Sequence, residues 1–200
     1  MYRYKRFLYV VCNCAYISSI FQCIIGHSLG AQTCGFFGKS FFKITGTKLA
    51  SIVGLDPAGP IFEEFDQYEK TQKLYRDDAD FVQVIHTDTN KYGHTEPMGH
   101  VDYYLNDGAI QPADILSSCG ATTSSNSCSH HYAYWFLAKM YNYPTLTCKI
   151  TGEDGGQQMY PIGDLLGKPG NQGMVKVYSK TSKAVTNEKR PTVYVNTDKC

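Results

Sequence analysis

A dominant sign of charge is missing from this chain: 19 Lys and Arg stand against 18 Asp and Glu in 200 residues. Without a net field, long-range attraction to a nucleic-acid backbone is excluded as an organising principle. The one local excess, seven basic against two acidic side chains over residues 168–200, reads as a solvated lysine-rich face. An apolar run long enough to span a bilayer is missing too. The stretch from Phe7 to Ile25 carries no charge, but Asn13, Ser18, Ser19 and Gln22 interrupt it, so a spanning helix is not expected. No internal repeat is present. No second Cys/His cluster at finger-like spacing accompanies Cys128-Ser129-His130-His131, which argues against structural zinc.

What is present fits one globular domain with a single core, at 42% hydrophobic residues with regular polar interruptions. Eight cysteines, an even number, are many for a reducing compartment and point to a secreted, disulfide-bonded protein. Arg3, Lys5 and Arg6 make a basic start to the uncharged stretch, so residues 1–20 read as a signal-like or non-native N-terminal segment, although no small-x-small cleavage site stands out. Residues 21–200 are assigned to the folded domain.

Along that domain, the run FQCII (21–25) ends at a glycine and reads as a buried parallel strand feeding a turn. A helix with small residues Gly30, Ala31 and Gly35 is predicted from Leu29 to Phe37. LASIVGL (49–55) is a second strand, broken by Asp56-Pro57-Ala58-Gly59-Pro60, which leaves Asp56 just past a strand's C-terminal end. Residues 61–80 are acidic and predicted to form surface helix or loop. FVQVIH (81–86) is a third strand, and residues 99–108 have the alternation and turn of a hairpin-like segment. Ser117–Ser129, rich in Ser, Thr, Gly and Asn, is predicted as a mobile loop. Helix is expected from His130 or His131 to Tyr141, and strand at 174–178 and 192–195.

Gly26-His27-Ser28-Leu29-Gly30 is a G-x-S-x-G pattern. With 18 Gly and 13 Ser, it arises by chance in roughly one such chain in ten, so context decides. A serine hydroxyl is a poor nucleophile at neutral pH; it needs a histidine to take its proton and a carboxylate to orient that histidine. A strand-turn-helix elbow exposes the serine oxygen, and the N–H of the next residue, Leu29, can face a developing oxyanion. Strand, elbow and small-residue helix occur here in order, followed by an aspartate at a strand end and a histidine opening a helix. Asp56 is the leading acid, with Asp78, Asp80, Asp88 and Asp102 as rivals, and chemistry alone does not separate His130 from His131. His86, His100 and Asp102 read as structural, and His27 as packing near the elbow.

The stretches IIGHSLGAQTCGFFGK, IVGLDPAGPIF, DADFVQVIHTD, GHVDYYLNDG with Gln111-Pro112, and CSHHYAYWF together resemble the animal lipase family that includes pancreatic lipase and the type A1 phospholipases. The resemblance implies an α/β-hydrolase, a mostly parallel central sheet with helices on both faces. It implies Ser28 as nucleophile, Asp56 as orienting acid, His130 rather than His131 as base, and Leu29 in the oxyanion hole. It also implies a lid disulfide between Cys119 and Cys128. Closing about ten residues is worth roughly 2.5 kcal/mol by loop entropy, and the eight residues between the two cysteines, mostly Ser, Thr and Asn, are too few and too polar to seal a pocket. Short lids of this kind look like those of phospholipases.

Three departures carry expectations of their own. Tyr75 stands where pancreatic-type members place an acidic calcium ligand beside the position of Asp78, so no metal and no cofactor are expected. The cysteine of the family's Pro-Gly-Cys is shifted, since Pro112 is followed by Ala113 and Asp114, and the partner that the family usually places near the position of Cys148 is missing, which leaves the pairing beyond the lid open. Finally, the sheet strands and second oxyanion donor that such a fold places before its nucleophile do not fit into residues 1–20, so the domain is expected to lack its N-terminal strands. The resemblance implies a secreted lipid carboxylic ester hydrolase, acting on phospholipid or acylglycerol at a lipid–water interface with peripheral membrane contact at most. A non-enzymatic lipid carrier or yolk-type protein on the same scaffold is the alternative.

Overall fold

The computed structural model describes residues 10–11, 23–63, 72–117, 119, 125–152, 155–165 and 192–197. In chain order these form strand β1 (Val10–Val11), β2 (Cys23–His27), helix α1 (Leu29–Thr45), β3 (Leu49–Leu55), β4 (Ala79–His86) and β5 (Val101–Leu105). Helix α2 (Ala113–Ser117), α3 (Ser125–Asn142), β6 (Thr147–Gly152), β7 (Gln157–Pro161) and β8 (Thr192–Asn196) follow.

The apolar runs become central strands because both of their faces are buried. Successive side chains of a strand point to opposite faces, and each strand here feeds two cores. Ile24, Ile52, Val82 and Val84 pack with Ala31 and Cys34 of α1. Ile25, Val53, Leu55, Ile85 and Tyr103 pack with Tyr132, Ala133, Phe136 and Met140 of α3. The two helices therefore cover opposite faces of one sheet, as the α/β-hydrolase reading requires.

Among the described residues the sheet has eight strands in the order β1-β2-β3-β4-β5-β8-β6-β7. The pairs from β2 through β5 to β8 are parallel. β1 is antiparallel to β2, and β6 is antiparallel to both β7 and β8. Register sets the functional edge: His27 lies opposite Leu55, and Leu55 opposite Ile85. The chain therefore leaves β2 at Ser28, β3 at Asp56 and β4 at Thr87 along one line, the carboxyl edge where ligands bind in open parallel sheets.

Several local expectations are corrected. Residues 101–105 are not half of a hairpin but a fully buried strand, parallel to β4 and β8. Their polar-apolar alternation misled because Asp102 is buried in a hydrogen-bonded role. Helix α3 begins at Ser125 and α2 occupies 113–117, so the loop expected over Ser117–Ser129 is shorter than its composition implies. Helix α1 runs on to Thr45. The acidic stretch 61–80 contains a fully buried Leu74 and a tight turn at Arg76–Asp78, and Asp78 is bound by Lys39 Nζ at 2.7 Å. The β6–β7 pair at 147–161 has no counterpart in the sequence reading. The strand expected at 174–178 and the segment 1–9 lie outside the described residues.

At the crossing of β2 and α1 only glycine fits position 26, because a Cβ there would run into the Gly30 carbonyl. Gly26→Ala is therefore expected to destabilise by about 2 kcal/mol, as overpacking typically does, lowering the thermal midpoint by about 4–8 °C in a chain of this size. An unchanged melting curve would contradict the close packing described.

Candidate active site

Ser28 joins β2 to α1 without a spacer, and the turn forces it to φ 58°, ψ −124°. A non-glycine residue is rarely held there, and doing so stores on the order of 1–3 kcal/mol unless neighbours enforce it. The enforcing contacts are visible: Ser28 N–H donates to the Leu55 carbonyl at 3.0 Å, and the Ser28 carbonyl accepts from Ala31 N–H at 3.0 Å. The half-buried serine thus stands at the N-terminus of a 17-residue helix. The first N–H groups of that helix, Leu29's among them, have no intrahelical acceptor, and the helix dipole favours negative charge there.

Asp56 is the first residue after β3. Its backbone is also left-handed, φ 40°, and its side chain is fully buried. A buried carboxylate is very costly unless hydrogen-bonded, and this one is satisfied on both oxygens. Oδ1 accepts from Thr87 N–H at 2.7 Å and Asp88 N–H at 3.2 Å; Oδ2 accepts from His130 Nδ1 at 2.6 Å. The loop that returns over the carboxylate passes so close that a Cβ at Gly93 would overlap the Asp56 carboxyl group.

His130 lies in the second turn of α3 and is mostly buried. The bond to Asp56 makes Nδ1 the protonated nitrogen, so the Nε2 lone pair is the one available for chemistry. His27 holds the same residue from behind. Its Nε2 donates to the His130 carbonyl at 2.8 Å, and the two rings lie 4.5 Å apart. Burial, then the neighbouring His130, holds His27 down to about 4, so it is a neutral donor at physiological pH. The last residue of the elbow strand is in this way bolted to α3.

The other candidates are placed elsewhere. His131 does not hold Asp56; its ring faces His27 and Tyr134, and its pKa is lowered by burial and by His130. Asp78 is paired with Lys39, and Asp80 is exposed on β4. Asp102 bonds His86 Nε2 at 2.8 Å, while His86 Nδ1 donates to the His94 carbonyl at 2.9 Å. With both ring nitrogens engaged and no exposed surface, this second His–Asp pair is a brace inside the sheet. Cys119 and Cys128 are disulfide-bonded with Cα atoms 5.9 Å apart, which anchors the first turn of α3. Cys148 is disulfide-bonded as well, to a partner outside the described residues.

Sequence reasoning offered Asp88 only as a rival to Asp56 and gave no role to Tyr92 or Asn126, all of which surround the pair. The Tyr92 ring lies 5.6 Å from the His130 ring, and Asn126 Nδ2 donates to Asp88 Oδ1 at 2.9 Å. No motif singles out Tyr92 or Asn126; only their position, in the turn after β4 and one helical turn before His130, could have drawn notice.

Two buried histidines link this region to solvent pH. His27 and His94 are each held down to about 4 from an ordinary 6.5, chiefly by burial. Between those values the unfolded chain binds protons that the folded chain does not, so stability is lost as pH falls from about 6.5 to 4. Asp88, pushed up to about 6 by burial, opposes this below pH 6, as does Asp78, whose carboxyl is also raised by burial, while His100 and His131, lowered by burial, add to the loss. Urea midpoints at pH 7, 6 and 5 are therefore expected to fall in that order, and His27→Gln to flatten the trend; equal midpoints would contradict it.

Known proteins share this arrangement of sequence. The chain is 43% identical to a phospholipase A1 of Vespula squamosa over 116 residues, 58% of this chain and 36% of that one. It is 37% identical to a phospholipase A1 of Vespa velutina over 139 residues, 70% and 42% of the two chains. With "Phospholipase A1 2" of Dolichovespula maculata it shares 42% identity over 117 residues, 58% and 35%. The chain spans less than half the length of these curated relatives. The model of the family described as "Lipase" matches residues 7–141, which include the Ser28 elbow, Asp56 and His130, and on that match the chain belongs to the lipase family.

Proposed function

We propose that this chain carries the catalytic constellation of a lipid carboxylic ester hydrolase, with Ser28 as nucleophile, His130 as general base and acid, and Asp56 as the orienting carboxylate. The observation that carries the reading is the 2.6 Å bond from His130 Nδ1 to the buried Asp56 Oδ2, formed at the sheet edge to which the strained Ser28 elbow belongs. A carrier protein needs neither the strain nor the buried ion-pairing geometry, so the enzyme is favoured over a lipid-binding scaffold.

In the proposed cycle the Ser28 hydroxyl attacks the ester carbonyl carbon while His130 Nε2 takes its proton. The oxyanion is held by N–H groups at the start of α1, that of Leu29 first. Collapse passes the Nε2 proton to the departing alcohol oxygen and leaves an acyl-serine. Water, deprotonated by the same nitrogen, then attacks the acyl carbon, releasing the fatty acid and restoring Ser28. Asp56 stays ionised throughout and stabilises the transient imidazolium.

Phospholipid is the favoured substrate, supported by the phospholipase A1 names of the relatives and by the eight-residue polar connection between Cys119 and Cys128. The Cys119–Cys128 and Cys148 disulfides support a secreted protein. No helix of the described residues is long and apolar enough to cross a membrane.

A fluorophosphonate probe is expected to label the folded wild-type chain, and Ser28→Ala to abolish labelling. Absence of labelling in a folded chain would favour the carrier. On activity, Ser28→Ala and His130→Ala are each expected to cost at least about 10³-fold in kcat. Phosphatidylcholine is expected to be hydrolysed in preference to triolein, and fatty-acid release strongly favouring triolein would overturn the substrate assignment.

A further inference from the structure

One buried carboxylate beside the proposed triad has no part in that cycle. Asp88 is fully buried yet belongs to a polar loop, two residues past the end of β4. Its backbone N–H donates to Asp56 Oδ1. Its side chain accepts from Asn126 Nδ2 at 2.9 Å and from Tyr92 N–H at 3.3 Å. Its carbonyl accepts from Gly93 N–H at 2.8 Å, closing the turn that presses Gly93 onto the Asp56 carboxyl group. Asn126 and His130 are four residues apart on α3, so they share one face of that helix. That face therefore meets the acid-bearing edge at two points, His130 on Asp56 and Asn126 on Asp88, and the two acids are themselves joined through the Asp88 N–H.

We propose that Asp88 is a positioning residue for the Asp56–His130 pair: by gripping Asn126 it locks α3 onto the acid-bearing edge, and its backbone N–H holds the Asp56 carboxylate that orients His130. The inference rests on the role given to His130 above. The charged and titratable groups facing Asp88 are Asp56 from the end of β3 and His130 from α3. On its own turn Lys91 lies against the Tyr92 ring, and Asp107 belongs to the short turn whose Gly108 carbonyl accepts Thr89 N–H. Burial, followed by the neighbouring Asp56, pushes the Asp88 carboxyl up to about 6 against the pull of Asn126 and His130.

The test follows the His130 ring protons by NMR in the full chain, a readout that needs no turnover. Asp88→Ala removes the acceptor of Asn126 and is expected to speed solvent exchange of the His130 Nδ1 proton about tenfold, whereas Asp88→Asn, which keeps an oxygen for Asn126, is expected to leave that exchange within about twofold of the wild type. Asn126→Ala keeps the charge and cuts the tether; it is expected to speed solvent exchange of the His130 Nδ1 proton about tenfold and to lower kcat with KM unchanged. Nδ1 exchange unmoved in Asp88→Ala or in Asn126→Ala overturns the proposal. The two positions lie on different elements, so misfolding at one leaves the other decisive. A wild-type chain that takes no fluorophosphonate would sink the hydrolase reading instead, and leaves both NMR arms standing.

Discussion

The burial of one carboxylate constrains this structure more than any other single feature. Asp56 has no exposed surface, and an ionised group so placed is tolerated only where hydrogen bonds replace its water. Its three donors come from two places far apart in the chain: the turn after β4 supplies Thr87 and Asp88 N–H, and α3 supplies His130 Nδ1. Neither the turn nor the helix can withdraw without leaving the charge unpaired. The same bonds fix the tautomer and orientation of the imidazole.

Around that carboxylate the parallel sheet acts as a ruler. Because β2, β3 and β4 end level in register, a serine, an aspartate and the donor turn emerge side by side although some thirty residues separate each from the next. Two positive-φ residues, Ser28 and Asp56, stand at this edge. Strain of this kind persists where surrounding structure over-determines it, and here strands buried on both faces and two flanking helices supply the restraint.

A contrast within the molecule sharpens what distinguishes a reactive pair from a brace. His86 and Asp102 are as close as His130 and Asp56, yet both His86 nitrogens are bonded inside the sheet. His130 gives one nitrogen to its acid and lies at the sheet's carboxyl edge, beside the Ser28 elbow. The distance between imidazole and carboxylate does not separate the two pairs; the engagement of the second nitrogen does.

The sequence by itself determined the strands with near-continuous apolar runs, the elbow at 26–30 and the place of Asp56, because period, glycine spacing and chain order are local signals. It misjudged residues 101–105, where a buried polar Asp102 mimics the alternation of an exposed hairpin, and it missed β6 and β7, whose sequence has no strong apolar period. Chemistry alone left His130 and His131 even and the family resemblance favoured His130; the tertiary structure puts His130 on Asp56, gives His27 a grip on the helix backbone, and brings Asp88 against Asn126. These are contacts between residues 38 to 103 positions apart. Their formation depends on strand register and helix placement, which no short stretch of sequence encodes.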